Sequence, residues 1–362
     1  MEIQPALDLF NAQTPEEVQF CIDRGDNVNE YYSQIPEDLG RAYDGESMVN
    51  NFKKPINIAS KNNNLAVFRV LVQNGADYGY DDIAHTHPLY DAVTNGSYNI
   101  LLEYIQNLGF DVNDPILPNI SCLDVACSHD NIDIVDLLLS YRASREGLDD
   151  DRPPLMSAIY HDNHTIVYKL LFEFLDDERV LPATLNRKNS HGTPIFFGCK
   201  SSTMLDILYS AGLEINMQND NNQTLLHEVC TYNNKNIELL LKCLQYSADP
   251  NLPDYIGNTP FHNLMANNYY TPNILLDIQA IKYLVEYGGN INVLNKNGDT
   301  PLYLYFESHR FTQFTDNNII LIQTLIDLGA SVDITNKKGF NFRRFVIQNT
   351  PFIPNLARLR LP

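Results

Sequence analysis

The sequence lacks the features that mark secreted, membrane-spanning or disulfide-built proteins. Its 362 residues include six cysteines without a CxxC pair, and a chain of this size does not need a disulfide framework. No apolar run approaches the roughly 18 residues of a membrane span, and the first residues have neither the basic start nor the apolar stretch of a signal peptide. We therefore expect a soluble protein in a reducing compartment such as the cytosol, without membrane insertion.

Basic side chains are also scarce, because 25 Lys and Arg face 45 Asp and Glu and give a formal net charge of −20. A surface of this charge repels nucleic-acid backbones, so nucleic acid is excluded as a partner. The same charge would speed association with a protein that carries a basic patch. Only the last 29 residues reverse the balance, with six basic and no acidic residues. This asymmetry predicts an interaction tail or, as the favoured interpretation, a segment that complements its own acidic neighbours.

Signatures of catalysis are missing as well, since the sequence contains no Gly-rich phosphate loop, no HExxH and no GxSxG. One loose metal-like cluster comprises Asp81, Asp82, His85 and His87. His87, however, stands where related segments have a helix-capping threonine. Cys230 follows His227 by three residues, at positions that suit packing better than thiol chemistry. We expect no enzyme activity, no metal and no cofactor; an enzyme hidden in an insertion is the alternative.

A repeat of about 33 residues runs along the chain. The segments "NQTLLHEVC" from Asn222, "IGNTPFHNLMA" from Ile256 and "GDTPLYLYF" from Gly298 are close echoes of one another. Units anchored on the residue in the place of Pro260 follow at intervals of 33, 34, 32, 40, 31, 35, 41 and 41. The anchors are Pro55, Pro88, Cys122, Pro154, Pro194, Leu225, Pro260, Pro301 and Phe342.

Each unit predicts two helices joined by a turn. A threonine caps the first helix and a proline occupies its first position, where the missing N–H costs nothing. The second helix is apolar on one broad face, as in "IDIVDLLL" from Ile132. Residues that tolerate positive φ are expected in the turn and after the second helix. They are Asn63, Gly96, Asp130, Asp162 and Asn233 in the turn, and Gly75, Gly212, Gly288 and Gly329 after the second helix.

The combination resembles ankyrin repeats over nearly the whole chain, roughly residues 5 to 350. T-P-L-H-like openings and G-A-D-like closings carry the likeness, and the Asp/Asn/Gly-rich connectors argue against a helix-only repeat. The resemblance implies an all-α repeat, a solenoid of about nine helix–turn–helix and β-hairpin units with degenerate terminal caps. The predicted array at 1–348 comprises a half-repeat at 5–29, a tyrosine-containing connection at 31–53 and repeats over about 54–348. A short basic tail at 349–362 follows.

His262 raises the question of chemistry or packing most directly. In the ankyrin pattern this histidine follows the cap and hydrogen-bonds loop backbone, which ties the hairpin to the helix. His227 is its equivalent, while Tyr90 and Tyr303 replace it in other units. Replacement by tyrosine suits a structural hydrogen bond better than proton transfer, so we predict a structural role.

The resemblance implies a non-catalytic scaffold, expected to be a monomer, that binds a protein partner. Such solenoids present a concave face of hairpin tips and first-helix surfaces, whose tip residues are free of core packing. Tyr255 and Ile256 are the expected anchors, because an exposed aromatic beside an aliphatic residue is typical of interfaces. The full predicted set is Asp220, Asn221, Gln223, Tyr255, Ile256, Asn258, Lys296, Asn297 and Asp299.

Two further hypotheses concern the setting of this scaffold. Asparagine supplies 42 of the 362 residues and tryptophan none, a bias that fits an AT-rich genome. Ankyrin proteins are common among those that intracellular bacteria deliver into host cells, so the chain is a candidate secreted effector with a role in virulence. Alternatively, the protein is an adaptor whose basic tail recruits a second component, as some ankyrin proteins recruit ubiquitin ligases.

Overall fold

The chain divides into two compact units, Met1–Glu178 and Arg179–Pro362. The computed structural model describes residues 8–33, 52–81, 87–148, 152–173, 185–231, 236–266, 274–309, 315–350 and 354–362. Short paired helices dominate both units, which confirms the expected all-α repeat. The predicted division into one array and a tail stays a prediction, as does the number of repeats.

In its described residues, the first unit contains a half-repeat and four helix pairs. The half-repeat is helix α1 (Pro15–Arg24), where Thr14 and Glu17 form a reciprocal cap between side chains and backbone N–H groups. In each pair the first helix has seven residues and the second has nine. The pairs are α2 (Pro55–Lys61) with α3 (Leu65–Gln73), α4 (Pro88–Thr94) with α5 (Tyr98–Gln106), α6 (Cys122–Ser128) with α7 (Ile132–Ser140), and α8 (Pro154–Tyr160) with α9 (His164–Phe172).

Among the described residues of the second unit, the first helix that is described in full is α10 (Ser202–Ser210), and three pairs follow it. Its pairs are α11 (Leu225–Thr231) with α12 (Ile237–Gln245), α13 (Pro260–Ala266) with α14 (Ile274–Glu286), and α15 (Pro301–His309) with α16 (Asp316–Asp327). Helix α17 (Phe342–Asn349) and a 3₁₀ helix (Pro354–Arg358) close the unit. Within each unit, first helices pack on first helices and second helices on second helices.

Side chains from both helices of each pair fill the core between neighbouring pairs. Phe68, Leu123 and Phe261 are among the fully buried residues. All six cysteines are buried and form no disulfide among the described residues, so they pack as small apolar residues. Burial raises the pKa of the Cys127 thiol, so the thiolate is disfavoured there. None of the helices in the described ranges is long and apolar enough to cross a bilayer.

The backbone at the turns explains why the helices end where they do. Positive φ angles of 52–70° occur between paired helices at Asn63, Gly96, Asp130 and Asp162. Angles of 86–99° follow the second helices at Gly75, Gly212, Gly288 and Gly329. Both groups were expected and are confirmed, while Asn233 lies outside the described residues. These left-handed positions reverse the chain without the strain that a bulkier residue would carry.

Two short antiparallel ribbons join helices in the first unit. Tyr32–Ser33 pairs with Phe52–Lys53, at the two ends of the predicted tyrosine-containing connection. Pro115–Leu117 pairs with Ile120–Ser121 directly before α6. In the second ribbon Asn119 has a φ of 59°, a value that asparagine tolerates better than most residues. The hairpin expected between consecutive repeats is therefore present at this position as a pair of strands.

The repeat anchored at Pro194 departs from the common pattern. In the four repeats of the first unit the cap of the second helix follows the anchor by nine residues, as Asn163 follows Pro154, and in the repeat anchored at Leu225 the cap Asn236 follows by eleven. Here Ser201 caps α10 only seven residues after Pro194. A seven-residue helix plus a turn cannot fit into that length, and Ile195–Gly198 form turns instead. The first helix expected from this anchor is therefore absent from described residues 185–201.

A cavity lies beside the end of this shortened segment. Its volume is about 260 Å³, and its walls come from the chain after the turns and from α11 and α12. The lining residues are Cys199, Lys200, Leu225, Glu228, Val229, Asn236 and Leu239.

Asparagine side chains join consecutive repeats along both units. Asn251 shows the geometry: its Nδ2 donates to the Gly288 carbonyl at 2.9 Å, and its Oδ1 accepts from the Asn290 N–H at 2.8 Å. We call this paired contact the asparagine joint. The other joints are made by Asn29, Asn186, Asn216 and Asn292, with donor distances of 2.9–3.0 Å and acceptor distances of 2.7–2.8 Å. Each joint pairs the backbone carbonyl of the first residue after a helix cap, as Asn186 does with Gly212.

The C-terminal segment packs on the last repeat. Leu356 is 1 % exposed, and the 3₁₀ helix contacts α16 and α17. Arg358 pairs with Asp316 at 2.5 Å, and Arg360 with Asp327 at 3.6 Å. The favoured interpretation, a basic segment that complements acidic neighbours, is confirmed for these two residues.

Candidate partner-binding face at the hairpin tips

The connecting loops of the second unit share one turn geometry. In each loop an Asn or Asp side chain accepts hydrogen bonds from the backbone N–H groups two and four residues later. Asp254 Oδ1 lies 3.0 Å from the Ile256 nitrogen and 2.8 Å from the Asn258 nitrogen. Asn219, Asn295 and Asn336 make the same pair of bonds at 2.9–3.0 Å. The side chain thereby fixes each loop as a hairpin with a defined tip.

Neighbouring tips are hydrogen-bonded to one another through their backbones. The Tyr255 N–H donates to the Asn221 carbonyl at 2.9 Å, and the Lys296 N–H donates to the Ile256 carbonyl at 3.0 Å. The Lys337 N–H donates to the Asn297 carbonyl at 3.0 Å in the same way. These bonds form a continuous row, which we call the tip ladder.

Gly257 shows how closely the tips approach. Its φ is +82°, and a Cβ atom placed on it would lie 2.7 Å from the Lys296 nitrogen. Glycine is therefore required twice, for the backbone angle and for the contact with the next tip.

The two motif histidines hold the helices to the ladder. His262 Nδ1 accepts from the Thr259 N–H at 3.1 Å, and its Nε2 donates to the Asp299 carbonyl at 3.0 Å. His227 makes the equivalent bonds to the Thr224 N–H and the Asn258 carbonyl, each at 3.1 Å. Each histidine thus ties its own helix cap to the following hairpin. The predicted structural role of His262 is confirmed.

These contacts also fix the protonation of both rings. Nδ1 faces a backbone N–H and must accept, so the proton resides on Nε2. Burial is the main cause that lowers the pKa of His262, and the Asp299 carbonyl opposes it only in part. The pKa of His227 is lowered for the same reason. Both nitrogens of each neutral ring are hydrogen-bonded, so neither ring is available to transfer protons. His227 therefore cannot serve as the general base that thiol chemistry at Cys230 would need.

The predicted anchors Tyr255 and Ile256 both lie on the tip ladder with exposed side chains, at 56 % and 39 %. Exposed side chains also occur at Asp220, Asn221, Lys296 and Asn297. Asp220 contacts Lys188 at 3.3 Å, and the Lys296 ammonium contacts the Tyr255 carbonyl. The structure thus brings the exposed members of the predicted set onto one row.

Three members of the predicted set have a structural task. Asp299 is 3 % exposed, and its Oδ1 accepts from Asn336 Nδ2 at 2.6 Å. Asn258 Oδ1 accepts from Asn295 Nδ2 at 2.9 Å, and Gln223 contacts Asn219 at 3.4 Å. The expectation that tip residues are free of packing is wrong for Asp299, because this carboxylate lies beneath the tip and links two hairpins.

The described residues of the predicted metal-like cluster near α4 make structural contacts. His87 caps α4, with its Nδ1 accepting from the Leu89 N–H at 3.0 Å, and burial lowers the pKa of this histidine to about 4. Asp81 accepts from the Tyr31 hydroxyl at 2.6 Å and pairs with Lys54 at 2.8 Å. Asp82 and His85 lie outside the described residues. Across the described part of the chain, no group of three His, Cys, Asp or Glu residues could hold a metal ion.

Comparison with known proteins agrees with the geometry of the helix pairs and hairpins. Residues 89–179 match the family model for ankyrin repeats, in three copies. This segment contains ankyrin repeats. A fowlpox virus (strain NVSL) protein named as an ankyrin repeat protein is 29 % identical over 168 residues, which cover 43 % of this chain and 47 % of that protein. The chain thus spans about half the length of this relative.

Ankyrin repeats generally mediate contacts between proteins and are typically non-catalytic. The residues that sequence reasoning missed are the asparagines and aspartates beneath the tips, such as Asp254. A signal for them existed, because each stands six residues before the start of a first helix, as Asn219 does before Leu225.

Proposed function

We propose that the protein is a non-catalytic scaffold that binds a partner protein along the tip ladder of its second unit. The observation that carries this proposal is the pair of exposed apolar side chains, Tyr255 and Ile256, held on a rigid hydrogen-bonded row. Exposed aromatic residues on rigid backbones are typical interface anchors, because they bury a large area with little loss of conformational entropy.

Rigidity of the ladder supports the same proposal. Backbone bonds between tips and the histidine ties fix the positions of the anchors before any partner arrives. Preorganisation of this kind lowers the entropic cost of association. The net charge predicts faster association with a partner that is basic overall, whereas the contact chemistry at the tips depends on local charges.

The experiment is capture of partners from a eukaryotic lysate followed by mass spectrometry. Wild type is compared with a Tyr255→Ala, Ile256→Ala variant, and both substitutions lie on exposed side chains, so folding should persist in circular dichroism. The matched control is Tyr98→Ala, Ile320→Ala, which removes the same residue types at 40 % and 48 % exposure from the second helices α5 and α16.

A partner captured by wild type and control but lost from the tip variant is the expected result. Equal capture by all three proteins would contradict the proposed face. Monomeric behaviour is expected and is checked by light scattering on the same samples.

Two hypotheses extend this function. Delivery into a host cell is proposed from composition and family likeness alone, and detection of the protein only in the cytosol of the producing cell would contradict it. Recruitment through residues 349–362 is the adaptor alternative. The buried Leu356 and the Arg358–Asp316 pair favour a capping role for this tail, so partners should be unchanged when it is deleted.

A further inference from the structure

The basic residues of the C-terminal region fall into two groups that the sequence does not distinguish. Arg343, Arg358 and Arg360 pair with carboxylates, and Arg343 contacts both oxygens of Asp333 at 2.5 and 2.9 Å. The other three have no carboxylate partner among the described residues; they are Lys337, Lys338 and Arg344. Their positive charge is therefore available to a partner.

The available charges lie at the hairpin tips. Lys337 and Lys338 occupy the last tip, in the positions that Tyr255 and Ile256 occupy two hairpins earlier. Lys296, on the tip between them, contacts a backbone carbonyl and, among the described residues, no carboxylate. The Arg344 guanidinium lies 5.8 Å from the centre of the Phe340 ring, just past the last tip.

Acidic side chains are missing from this stretch of the ladder. From Tyr255 onward the six tip positions hold Tyr, Ile, Lys, Asn, Lys and Lys. The carboxylates of Asp254 and Asp299, beneath the tips, are 6 % and 3 % exposed and accept hydrogen bonds from the loops. On a chain with a net charge of −20, the exposed tips form a cationic strip beside exposed apolar side chains.

We infer that the occupant of this strip is an acidic protein segment that also carries an apolar side chain. The inference rests on the proposed function and names the partner class for the same face. Asp or Glu side chains would pair with Lys296, Lys337, Lys338 and Arg344, while an apolar residue would cover Tyr255, Ile256 or Phe340, which is 45 % exposed.

Charge complementarity decides between an acidic and a basic occupant. A basic segment would place like charges against at least three ammonium groups, and like-charge contacts across an interface disfavour binding. The acidic surface elsewhere on the chain would repel an acidic segment from other faces. That repulsion would confine the segment to the strip.

The test is selection from a phage-displayed library of random dodecapeptides against the intact chain. The tip-charge variant is Lys296→Glu, Lys337→Glu, Lys338→Glu. Its matched control, Lys61→Glu, Arg152→Glu, Lys282→Glu, makes the same change in net charge at exposed residues outside the tips. A third protein is Tyr255→Ala, Ile256→Ala, which tests the face without changing charge.

We expect wild type and the charge control to enrich acidic peptides that contain an apolar residue. Synthetic copies of these peptides should bind the tip-charge variant about tenfold or more weakly, and added salt should weaken their binding to wild type. Basic or uncharged peptides whose binding depends on Tyr255 and Ile256 would overturn this inference and leave the proposed function standing. Peptides indifferent to all tip substitutions would overturn both. A library that yields no enriched peptide would also overturn the inference.

Discussion

The repeat that opens at Pro194 and the repeat that opens at Pro154 begin alike and fold differently. Pro154 starts helix α8, which is followed by a turn with Asp162 at a φ of 57° and then by the cap Asn163. Pro194 has two residues fewer before its cap, Ser201, and its segment forms turns beside a cavity. An opening motif therefore specifies a helix only when enough chain follows for the turn.

The second helix tolerates this loss because it has its own contacts. Helix α10 packs on α12, where the Tyr209 and Tyr246 rings stack at 3.8 Å. The Tyr246 hydroxyl donates to Asp206 at 2.5 Å. Nearest-neighbour packing in repeat arrays explains why one altered repeat does not disrupt the next.

Shortening an intact repeat should have the largest effect. Deletion of His161 and Asp162 gives the Pro154 repeat the spacing of the Pro194 repeat. We expect the free energy of unfolding to fall by about 6 kcal/mol, because Leu155 and Ile159 lose their burial when α8 cannot form. Urea titration followed by circular dichroism measures the change. The control is Asp162→Gly, which keeps the length and the φ angle. If the deletion lowered the free energy of unfolding no more than this control does, the spacing argument would be contradicted.

Removal of the hydrogen bonds made by a motif histidine should have the second-largest effect on stability. His262→Ala loses two buried hydrogen bonds and leaves a cavity, so we expect a loss of about 4 kcal/mol in the free energy of unfolding. His191 lies on the exposed hairpin of the short repeat, and His191→Ala should change stability by less than about 0.5 kcal/mol. If both substitutions lowered the free energy of unfolding equally in this urea titration, the buried hydrogen bonds of His262 would not be the source of its stabilising effect.

Low pH should destabilise an intact repeat through His87, the buried residue that caps α4. The unfolded chain protonates His87 near pH 6.5, whereas the folded chain does so only near its lowered pKa of about 4. Stability is therefore fully present above about pH 6.5 and falls as the pH decreases toward 4.

Comparison with His87→Asn isolates this contribution, because asparagine can accept the same cap hydrogen bond without titrating. The difference in unfolding free energy between the two proteins should shift by up to about 3 kcal/mol over this pH range. A difference that is constant from pH 7 to 4 would remove His87 as the cause.

Lengthening the short repeat should have the smallest effect on stability and the clearest structural result. Insertion of Asn-Asn between Lys200 and Ser201 restores the nine-residue spacing. We expect residues after Pro194 to become helical and the free energy of unfolding to rise by about 1 kcal/mol at most, since Gly198 still disfavours helix. Amide hydrogen exchange at Phe196 and Phe197 reports the change. If the exchange rates did not change, the helix would be missing because of the residue types after Pro194 and not because of the short spacing before Ser201.

Much of the fold could be predicted from the sequence because local rules determine it. Proline at a first helical position, Gly75 after a helix and Asp130 in a turn each act over a few residues. The missing helix at Pro194 could have been read from the seven-residue spacing. The asparagine joints could not, because Asn251 and Gly288 meet only after their repeats stack.

The candidate site was predictable in part for the same reason. Tip positions follow from the hairpin pattern, so the exposure of Tyr255 and Ile256 could be predicted. Whether Asp299 points outward or inward depends on Asn336, 37 residues later, and no local rule contains that information. The pairing of Arg358 but not Lys337 is likewise a matter of tertiary contact.

The asparagine joint has a consequence for how such a chain can change over generations. A primary amide carries a donor group and an acceptor group on one short side chain. The groups that it meets belong to the main chain, which every repeat possesses whatever its side chains. Repeats linked in this way are interchangeable modules: one can be duplicated, lost or exchanged without redesign of the interface. The link carries no charge, so it holds equally in dilute and concentrated salt, and the tips remain free to diverge toward new partners.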